Sequence, residues 1–324
     1  MKTITIKGKE QSKKELKELK KLNRKTKWRQ AFQSWQLYVF ILPAFLYFLI
    51  FHYVPMYGVQ IAFKDFTPAE GIWGSGWVGF EHFKAFFDSY YFWDLIKNTM
   101  GISIYSLVVG FPLPILLALS LNEAKDGLFK RGVQTITYAP HFISVVVMAG
   151  IIITFLSPSS GIVNEFLGLI GIEPIAFMED PKWFKTVFVF SGVWQNAGWG
   201  TIIYLAALAG VDPQQHEAAI VDGATRLERI WHINIPAIFP TMVILLILNT
   251  GSLLAVGFEK VLLLQNPLNM ESSEIISTFV YRAGLLDGEY SFSTAVGLFN
   301  AIINATLLIV VNYIARKTNE TSLW

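Results

Sequence analysis

Six long apolar stretches dominate this chain and restrict what it can fold into. A helix needs about 20 mostly apolar residues to cross the hydrocarbon core of a bilayer, and only helices or closed barrels satisfy their backbone hydrogen bonds there. Charged residues make up 15% of the 324 residues, below the ~25% typical of soluble domains. The sequence therefore predicts an all-α membrane protein with six transmembrane helices, at roughly residues 37–63, 95–121, 133–157, 184–209, 237–264 and 291–315.

The segment before the first apolar stretch, residues 1–36, is strongly basic. It holds twelve Lys and Arg against three Glu. Such a run is more typical of a solvated tail beside an anionic membrane surface than of a nucleic-acid-binding arm, which is the alternative. The positions of Leu16, Leu19, Trp28 and Trp35 favour a helix that lies in the membrane interface. We therefore expect contact with lipid and no nucleic-acid partner.

The distribution of Lys and Arg predicts the orientation of the chain. With the N-terminus in the cytoplasm, the cytoplasmic segments hold nineteen of the 26 Lys and Arg and the rest of the chain holds seven, as the positive-inside rule requires. Without the basic tail the count is seven against seven, so the tail decides most of the assignment. An even number of spans then places both termini in the cytoplasm, with residues 316–324 as a short C-terminal tail.

The most informative segment is the loop at residues 210–236, between the fourth and fifth predicted spans. It is longer than a simple connector requires, and it carries helix signals of its own. Asp212 is a favourable N-cap, Pro213 suits the first helical position, and Gln215 completes a pair similar to a capping box. Gly223 allows the left-handed residue with which a helix often ends.

A second short helix is expected after this glycine. Its apolar stripe is expected to consist of Ala224, Leu227, Ile230 and Trp231. Arg226 and Arg229 lie away from the stripe, and Pro236 is expected where the chain enters the fifth span. Together the two helices form a rigid projection with an apolar ridge and the carboxylate of Glu217, a surface suited to a groove in another protein.

The same loop resembles the EAA signature of importer-type ABC permeases. The matching residues are Glu217, Ala218, Ala219, Gly223, Ile233, Ile235 and Pro236. The family pattern has Leu where this chain has Ile235, which is a minor departure. Similarity extends over nearly the whole chain and is closest to maltose-type carbohydrate permeases, in particular to importers of oligosaccharides and of alginate. It is carried by residues 42–45, 51–58, 62–65, 257–259 and 281–295.

The resemblance implies a multi-pass protein of the bacterial inner membrane, with residues 37–315 as its permease domain. In this family the EAA loop seats in a cleft of a separate ATPase, where the glutamate pairs with a basic residue. The resemblance implies the same role for Glu217, with Gly223 shaping the turn. The expected ATPase-coupling residues are Glu217, Ala218, Ala219, Asp222, Gly223, Arg226, Ile233 and Pro236. The expected partners are two ATP-binding-cassette ATPase subunits, a second and non-identical permease subunit, an extracytoplasmic solute-binding protein and an oligosaccharide substrate.

The chain carries no G-x-x-x-x-G-K-[ST] motif, the usual loop for ATP phosphates. We therefore expect a transport subunit that is not an enzyme and holds no cofactor, with ATP and Mg²⁺ bound by the partner ATPase. No metal site is expected either, because the five His show no metal-ligand spacing and Cys is absent. The alternative is a self-contained secondary transporter or channel for a polar solute. That class predicts inverted repeats and a buried ionisable pair at mid-membrane, and the sequence shows neither.

Polar residues at membrane depth are costly and usually face a cavity or the interior of a helix bundle. The predicted substrate-pathway residues are His141, Trp194, Gln195, Asn196, Trp199, Asn249 and Asn300; Thr250 and Asn304 lie at similar depth. Amides with flat aromatic rings suit a sugar, because they offer partners for hydroxyl groups and an apolar ring face. The alternative is that these amides hold helices together, and His141 is more typical of a bundle residue than of a proton relay. Glu259 and Lys260 are expected near the outer end of the fifth span, as a gate or as interface charges.

The outer segment at residues 66–91 is rich in aromatic residues, including Trp73, Trp77 and Phe80. An interfacial aromatic belt with a small packed cap is the simpler interpretation. The alternative is a docking surface for an extracytoplasmic partner.

Overall fold

A computed structural model describes residues 34–319, with side chains to residue 317. The predicted interfacial helix within residues 1–36 therefore lies almost wholly outside the described residues, and so does most of the C-terminal tail. The chain forms two compact units that divide between Gln60 and Ile61. Each unit is described separately.

The described part of the first unit begins with helix α1 (Trp35–Phe48), which continues through a π turn at Leu49–Tyr53 into a 3-10 segment at Val54–Phe63. Together these form a helix of 29 residues that is long and apolar enough to cross a membrane. None of the side chains of α1 is buried. Apolar surface exposed all around a helix is what contact with lipid requires, and the helix coincides with the first predicted span.

The second unit is helical apart from a short antiparallel hairpin that pairs Lys64 with Trp77 and Asp65 with Gly76. Its strands are β1 (Lys64–Asp65) and β2 (Gly76–Trp77). Its helices are α2 (Gly71–Gly74), α3 (Glu81–Asp88), α4 (Phe92–Gly110), α5 (Pro112–Glu123), α6 (Leu128–Tyr138), α7 (Val145–Phe155), α8 (Ile162–Leu169), α9 (Pro181–Leu208), α10 (Pro213–Val221), α11 (Arg226–Arg229), α12 (Ile235–Gly251), α13 (Phe258–Leu264), α14 (Met270–Ser273), α15 (Ile276–Tyr281) and α16 (Tyr290–Asn319).

The described residues do not confirm the predicted count of six spans. Among the described residues, four helices are long and apolar enough to cross a membrane: Trp35–Phe63, Phe92–Glu123, Arg226–Gly251 and Tyr290–Lys317. The third predicted span is a pair of helices, Leu128–Phe142 and Val145–Phe155, bent by 104°. The first of these ends at Phe142, and Ser144 caps the second, since its hydroxyl accepts a hydrogen bond from the Val147 amide at 3.3 Å.

The fourth predicted span is the continuous helix α9, whose 28 residues extend over about 42 Å. It is long enough to cross a bilayer, but it is not among the helices that also meet the apolar criterion. Asp180 caps it by accepting from the Lys182 amide at 3.1 Å. The hydrogen bond from the Lys182 side chain lowers the pKa of Asp180, so a charged carboxylate lies at the positive end of the helix dipole.

The predicted limits of the fifth span, 237–264, are wrong at both ends. The helix already begins at Arg226 and stops at Gly251, and residues 258–264 form the separate helix α13. Asn249 and Thr250 bond back to the carbonyls of Leu245 and Leu246, which competes with the regular helix ladder. Asn304 on α16 then accepts from the Leu254 amide at 3.0 Å and holds the chain in its non-helical path.

Three clusters of buried apolar side chains hold the second unit together. The first joins α4, α7, α9 and α13 through Ile102, Met148, Phe184 and Val261. The second joins α3, α4, α15 and α16, with Phe86 and Ile276 at its centre. The third joins α5, α9 and α12 through Ala118, Tyr204 and Ile238, and the partly buried Ile230 and Ile235 pack against it. The loop at 210–236 is therefore attached directly to the helix bundle.

Candidate functional site

The helix α10 and its ending follow the local signals in the sequence. Asp212 accepts a hydrogen bond from the Gln214 amide at 3.0 Å, and Pro213 opens the helix. Gly223 has a φ of +83°, and its amide bonds the Ile220 carbonyl at 3.0 Å. The next amide, that of Ala224, bonds the Ala219 carbonyl at 2.9 Å. This pair of bonds is a Schellman ending, in which the residue after the helix takes the left-handed conformation.

The capping box of this loop lies after the turn, and not at the predicted position of Gln215. Thr225 and Glu228 form it: the Thr225 hydroxyl accepts from the Glu228 amide at 3.4 Å, and the Glu228 carboxylate accepts from the Thr225 amide at 2.7 Å. Both ends of the turn are thus fixed by local hydrogen bonds.

Pro236 does not mark a boundary, which corrects the sequence prediction. The chain passes from α11 through a π segment at Ile230–Asn234 into α12, and the whole forms one apolar helix from Arg226 to Gly251. A proline inside a helix removes one hydrogen bond and crowds the carbonyl four residues earlier. Here that carbonyl belongs to His232, and widening to π geometry relieves the crowding.

The predicted coupling residues fall into an exposed and a packed group. Glu217, Ala218, Asp222, Gly223, Arg226 and Pro236 are exposed, and Ala219 and Ile233 are half-buried. The exposed apolar ridge consists of Val221, Leu227 and Trp231. Ile230, predicted to share this stripe, packs inward against the third cluster. Within the described residues no cation lies within 4 Å of the Glu217 carboxylate, so this acidic and apolar surface is available to another protein.

Gly223→Ala should misplace this surface, because a left-handed conformation costs an alanine about 1–2 kcal/mol although no neighbour lies within 4 Å of its Cβ. The expected result is weaker binding of the ATPase subunits that the sequence resemblance implies, measured by their co-purification with this protein. Gly132→Ala is the matched control, since Gly132 lies in α6, also has open space and does not have a positive φ. Equal ATPase recovery from the two variants would show that binding does not depend on the left-handed conformation at Gly223.

A polar cluster at the base of the loop is a feature that the sequence prediction missed. Glu123 ends α5, and its carboxylate lies 3.7 Å from Arg229 and accepts from the Asn234 amide group at 3.3 Å. Both charged side chains are more than four-fifths buried. One signal was present in the sequence. A glutamate at a helix C-terminus lies at the negative end of the helix dipole, so a cation is expected nearby to compensate its charge. The cluster therefore attaches the loop at 210–236 to the end of α5.

Glu123→Gln should loosen this attachment and cost about 2 kcal/mol, since it leaves Arg229 partly buried without a counter-charge. We expect a lower Tm of the purified protein and, with the ATPase subunits that the sequence resemblance implies, more ATP hydrolysed for each solute transported. In a double-mutant cycle, adding Arg229→Gln should cost less than the sum of the single effects. Strict additivity would show that the two side chains do not act together.

The second candidate feature is a cavity of about 750 Å³ between α4, α5, α9, α12 and α13. Four predicted pathway residues line it: His141, Gln195, Asn196 and Asn249. His141 Nδ1 and Asn196 Oδ1 are 3.1 Å apart, and Gln195 donates to the Ile143 carbonyl at 2.9 Å. Asn249 donates to the Leu245 carbonyl. Among the described residues the side-chain oxygens of Gln195 and Asn249 have no donor, so each is free to accept from a hydroxyl group.

The other three predicted pathway residues do not line this cavity. Trp199 stacks on the His141 ring with centroids 4.5 Å apart and is half-exposed. Trp194 is 53% exposed and lies beside the cavity residues on α9. Asn300 lines a smaller cavity between α13, α15 and α16, and its buried Oδ1 has no partner among the described residues. A part in the solute pathway stays a prediction for all seven residues.

Lys260 occupies a different position from the one expected at the outer end of the fifth span. It lies on the separate helix α13, is only 7% exposed and lines the cavity, whereas its neighbour Glu259 is exposed. The sequence prediction missed it because the break at residues 252–257 was not recognised.

With this geometry in place, residues 110–320 match the family described as the binding-protein-dependent transport system inner membrane component. The chain belongs to this family. The predicted resemblance to importer permeases is therefore confirmed, although the count of six spans is not. Because the family is one of inner-membrane components, the permease is a membrane transport subunit.

Individual relatives are similar to this permease over almost their full length. Protein LplB of Bacillus subtilis (strain 168) is 46% identical over 89% of this chain and 91% of that protein. The polygalacturonan/rhamnogalacturonan transport system permease protein YteP of the same organism is 46% identical over 94% of this chain and 95% of that protein.

Solved structures extend the similarity to three dimensions. A crystal structure of a bacterial ABC transporter involved in the import of the acidic polysaccharide alginate contains a chain with 43% identity and a TM-score of 0.83, covering 90% of this chain and 99% of that one. A chain in the bacterial alginate ABC transporter in complex with alginate pentasaccharide-bound periplasmic protein has 42% identity and a TM-score of 0.84, covering 91% and 99%.

Proposed function

We propose that this permease is one transmembrane subunit of an ABC importer that takes up an oligosaccharide derived from an acidic polysaccharide. The observation that carries the proposal is the similarity, over nine-tenths of the chain, to a permease chain of an alginate importer. The relative named for polygalacturonan and rhamnogalacturonan transport points to the same class of substrate, because these polymers also contain uronic acids.

The exposed surface of the coupling loop supports a separate ATPase as the energy source. Glu217 has no cation partner within the described residues, and Leu227 and Trp231 are 78% and 68% exposed. Such a projection fits a groove lined with apolar side chains and one basic residue. Two ATPase subunits bind ATP and Mg²⁺, and their closure moves this loop. The attachment through Glu123 and the third apolar cluster passes the movement to α5, α9 and α12.

The cavity is the proposed solute path, and it is completed by a second, non-identical permease subunit. Exposed apolar side chains on α9, such as Phe190 and Ile203, support burial against lipid or another subunit. A solute-binding protein delivers the oligosaccharide from outside, as the periplasmic protein does in the complex with alginate pentasaccharide. Both termini and the coupling loop lie in the cytoplasm in this arrangement.

Reconstitution of the purified complex in proteoliposomes tests the proposal. The probes are a tetrasaccharide of galacturonate and an oligosaccharide of alginate, each presented with the solute-binding protein. We expect uptake that requires ATP and is lost when the ATPase subunits are left out. Uptake by the permease without ATPase would overturn the proposal in favour of a channel or secondary transporter.

A further inference from the structure

The most unusual charge in the described part of this chain is the ammonium group of Lys260. Its side chain is 7% exposed and lies at the wall of the cavity, against α9. Nζ donates to the Phe188 carbonyl at 3.2 Å and lies 5.0 Å from the centroid of the Phe188 ring. Within the described residues no carboxylate lies within 4 Å of it.

A buried cation without a counter-charge is costly, because neither a carbonyl nor a ring face replaces the water that the charge has lost. The two arginines whose side chains are largely buried follow the usual pattern, since Arg229 lies beside Glu123 and Arg282 beside Glu274. Lys64 has the same kinds of partner as Lys260, a carbonyl and a ring, but it lies in the outer hairpin and lines no described cavity. Lys260 alone combines burial, a missing counter-charge and contact with the cavity among the described residues.

The surroundings of Lys260 leave room for an anion. An ammonium group has three donors, and the structure gives one of them to the Phe188 carbonyl. Gly192 lies beside it, and a Cβ at that position would lie 3.5 Å from Nζ, so the glycine leaves this side of the charge uncovered.

We propose that Lys260 binds carboxylate groups of the passing saccharide and selects for uronate-containing chains; this inference rests on the proposed function. Seven residues of α9 separate Phe188 from Gln195, so the charge and the amides lie about 10 Å apart along the cavity wall. That spacing allows one sugar unit to meet the ammonium group while another meets the amides. A single ammonium binds more weakly than the bidentate fork of an arginine, which suits a solute that must also leave.

Lys260→Met tests the proposal, because methionine matches the unbranched lysine side chain as far as Cε and lacks the ammonium group. The probes are the galacturonate tetrasaccharide and its methyl ester, which has the same length and no charge. In the complete complex we expect uptake of the acid to fall about tenfold relative to the ester, the effect of losing one charge-assisted hydrogen bond. Removing an unpaired buried charge should leave the Tm of the complex unchanged or higher.

Two further variants make the result decisive. Lys97→Met is the matched control, since Lys97 is exposed, pairs with Asp94 and lies outside the cavity lining; it should leave both probes unaffected. Lys260→Arg keeps the charge and should keep the preference for the acid. If the wild-type complex takes up only the acid, a loss in Lys260→Met that Lys260→Arg does not share supports the proposal.

The opposing outcomes are equally clear. Equal losses for both probes, a lower Tm of Lys260→Met, or loss in both Lys260 variants would show that the residue acts only in packing. An unchanged ratio of acid to ester uptake would also overturn the inference and leave the proposed function intact. A wild-type complex that takes up neither galacturonate nor alginate oligosaccharides would remove the proposed function, and the inference with it.

Discussion

Gly198→Ala should prevent the permease from assembling into a stable complex. A Cβ at this position would lie 2.0 Å from the Thr137 carbonyl oxygen and 2.4 Å from its carbon, and neither atom is on a flexible side chain. The helices α6 and α9 would have to move apart by about 1.5 Å to reach normal contact. Overpacking of this kind costs about 3 kcal/mol at the upper end of its usual range.

The measurement is the yield and Tm of the complex after purification. Gly150→Ala is the matched control, because Gly150 also lies in a helix and a Cβ there meets nothing within 4 Å in the described residues. We expect the control to equal the wild type and Gly198→Ala to give little assembled complex. Assembly of Gly198→Ala with a normal Tm would show that α6 and α9 do not approach as closely as described.

Local signals made the turn of the coupling loop predictable. Each residue that sets it acts on partners a few positions away: Asp212 and Pro213 start α10, and Gly223 ends it. An N-cap, a first-turn proline and a left-handed glycine act through bonds to their own neighbours. Such features can be read from a single sequence without knowledge of the rest of the fold.

The features that were missed depend on residues far apart in the chain. The break after Gly251 is held by Asn304, which lies 50 residues from its partner Leu254. Glu123 and Asn234 are 111 residues apart, and Lys260 meets a carbonyl 72 residues away. Hydropathy cannot distinguish a span from an apolar segment that stops and turns, so the fifth span was drawn too long and Lys260 was placed at its edge.

Hydropathy also does not predict which side chains face a cavity, so only some of the predicted pathway residues line it. Span depth gives the height of a residue but not the direction in which it points. Gln195 lines the cavity, whereas its neighbour Trp194 does not. Adjacent residues on a helix differ by about 100° in direction. Gln195, Asn196 and Asn249 meet in the cavity, whereas the rotation of α9 directs Trp194 away from it.

Glu217→Ala should abolish coupled transport and leave the permease itself intact. The side chain is exposed and has no cation partner within the described residues, so its removal costs the isolated subunit little. In the proposed complex the carboxylate pairs with a basic residue of the ATPase. Loss of one partner from a buried charge pair at an interface costs about 2–5 kcal/mol, which corresponds to roughly 30-fold or more in binding.

The control for this variant is Gln215→Ala, an exposed residue on the same helix. Two residues along a helix differ by about 200° in direction, so the control probes the opposite face of α10. We expect Glu217→Ala to insert normally, to recover less ATPase and to show no stimulation of ATP hydrolysis by the loaded binding protein. Because the ridge formed by Val221, Leu227 and Trp231 is unchanged, some ATPase should remain bound without coupling. Normal stimulation in Glu217→Ala would show that the apolar ridge alone transmits the movement, and the carboxylate would then have no part in it.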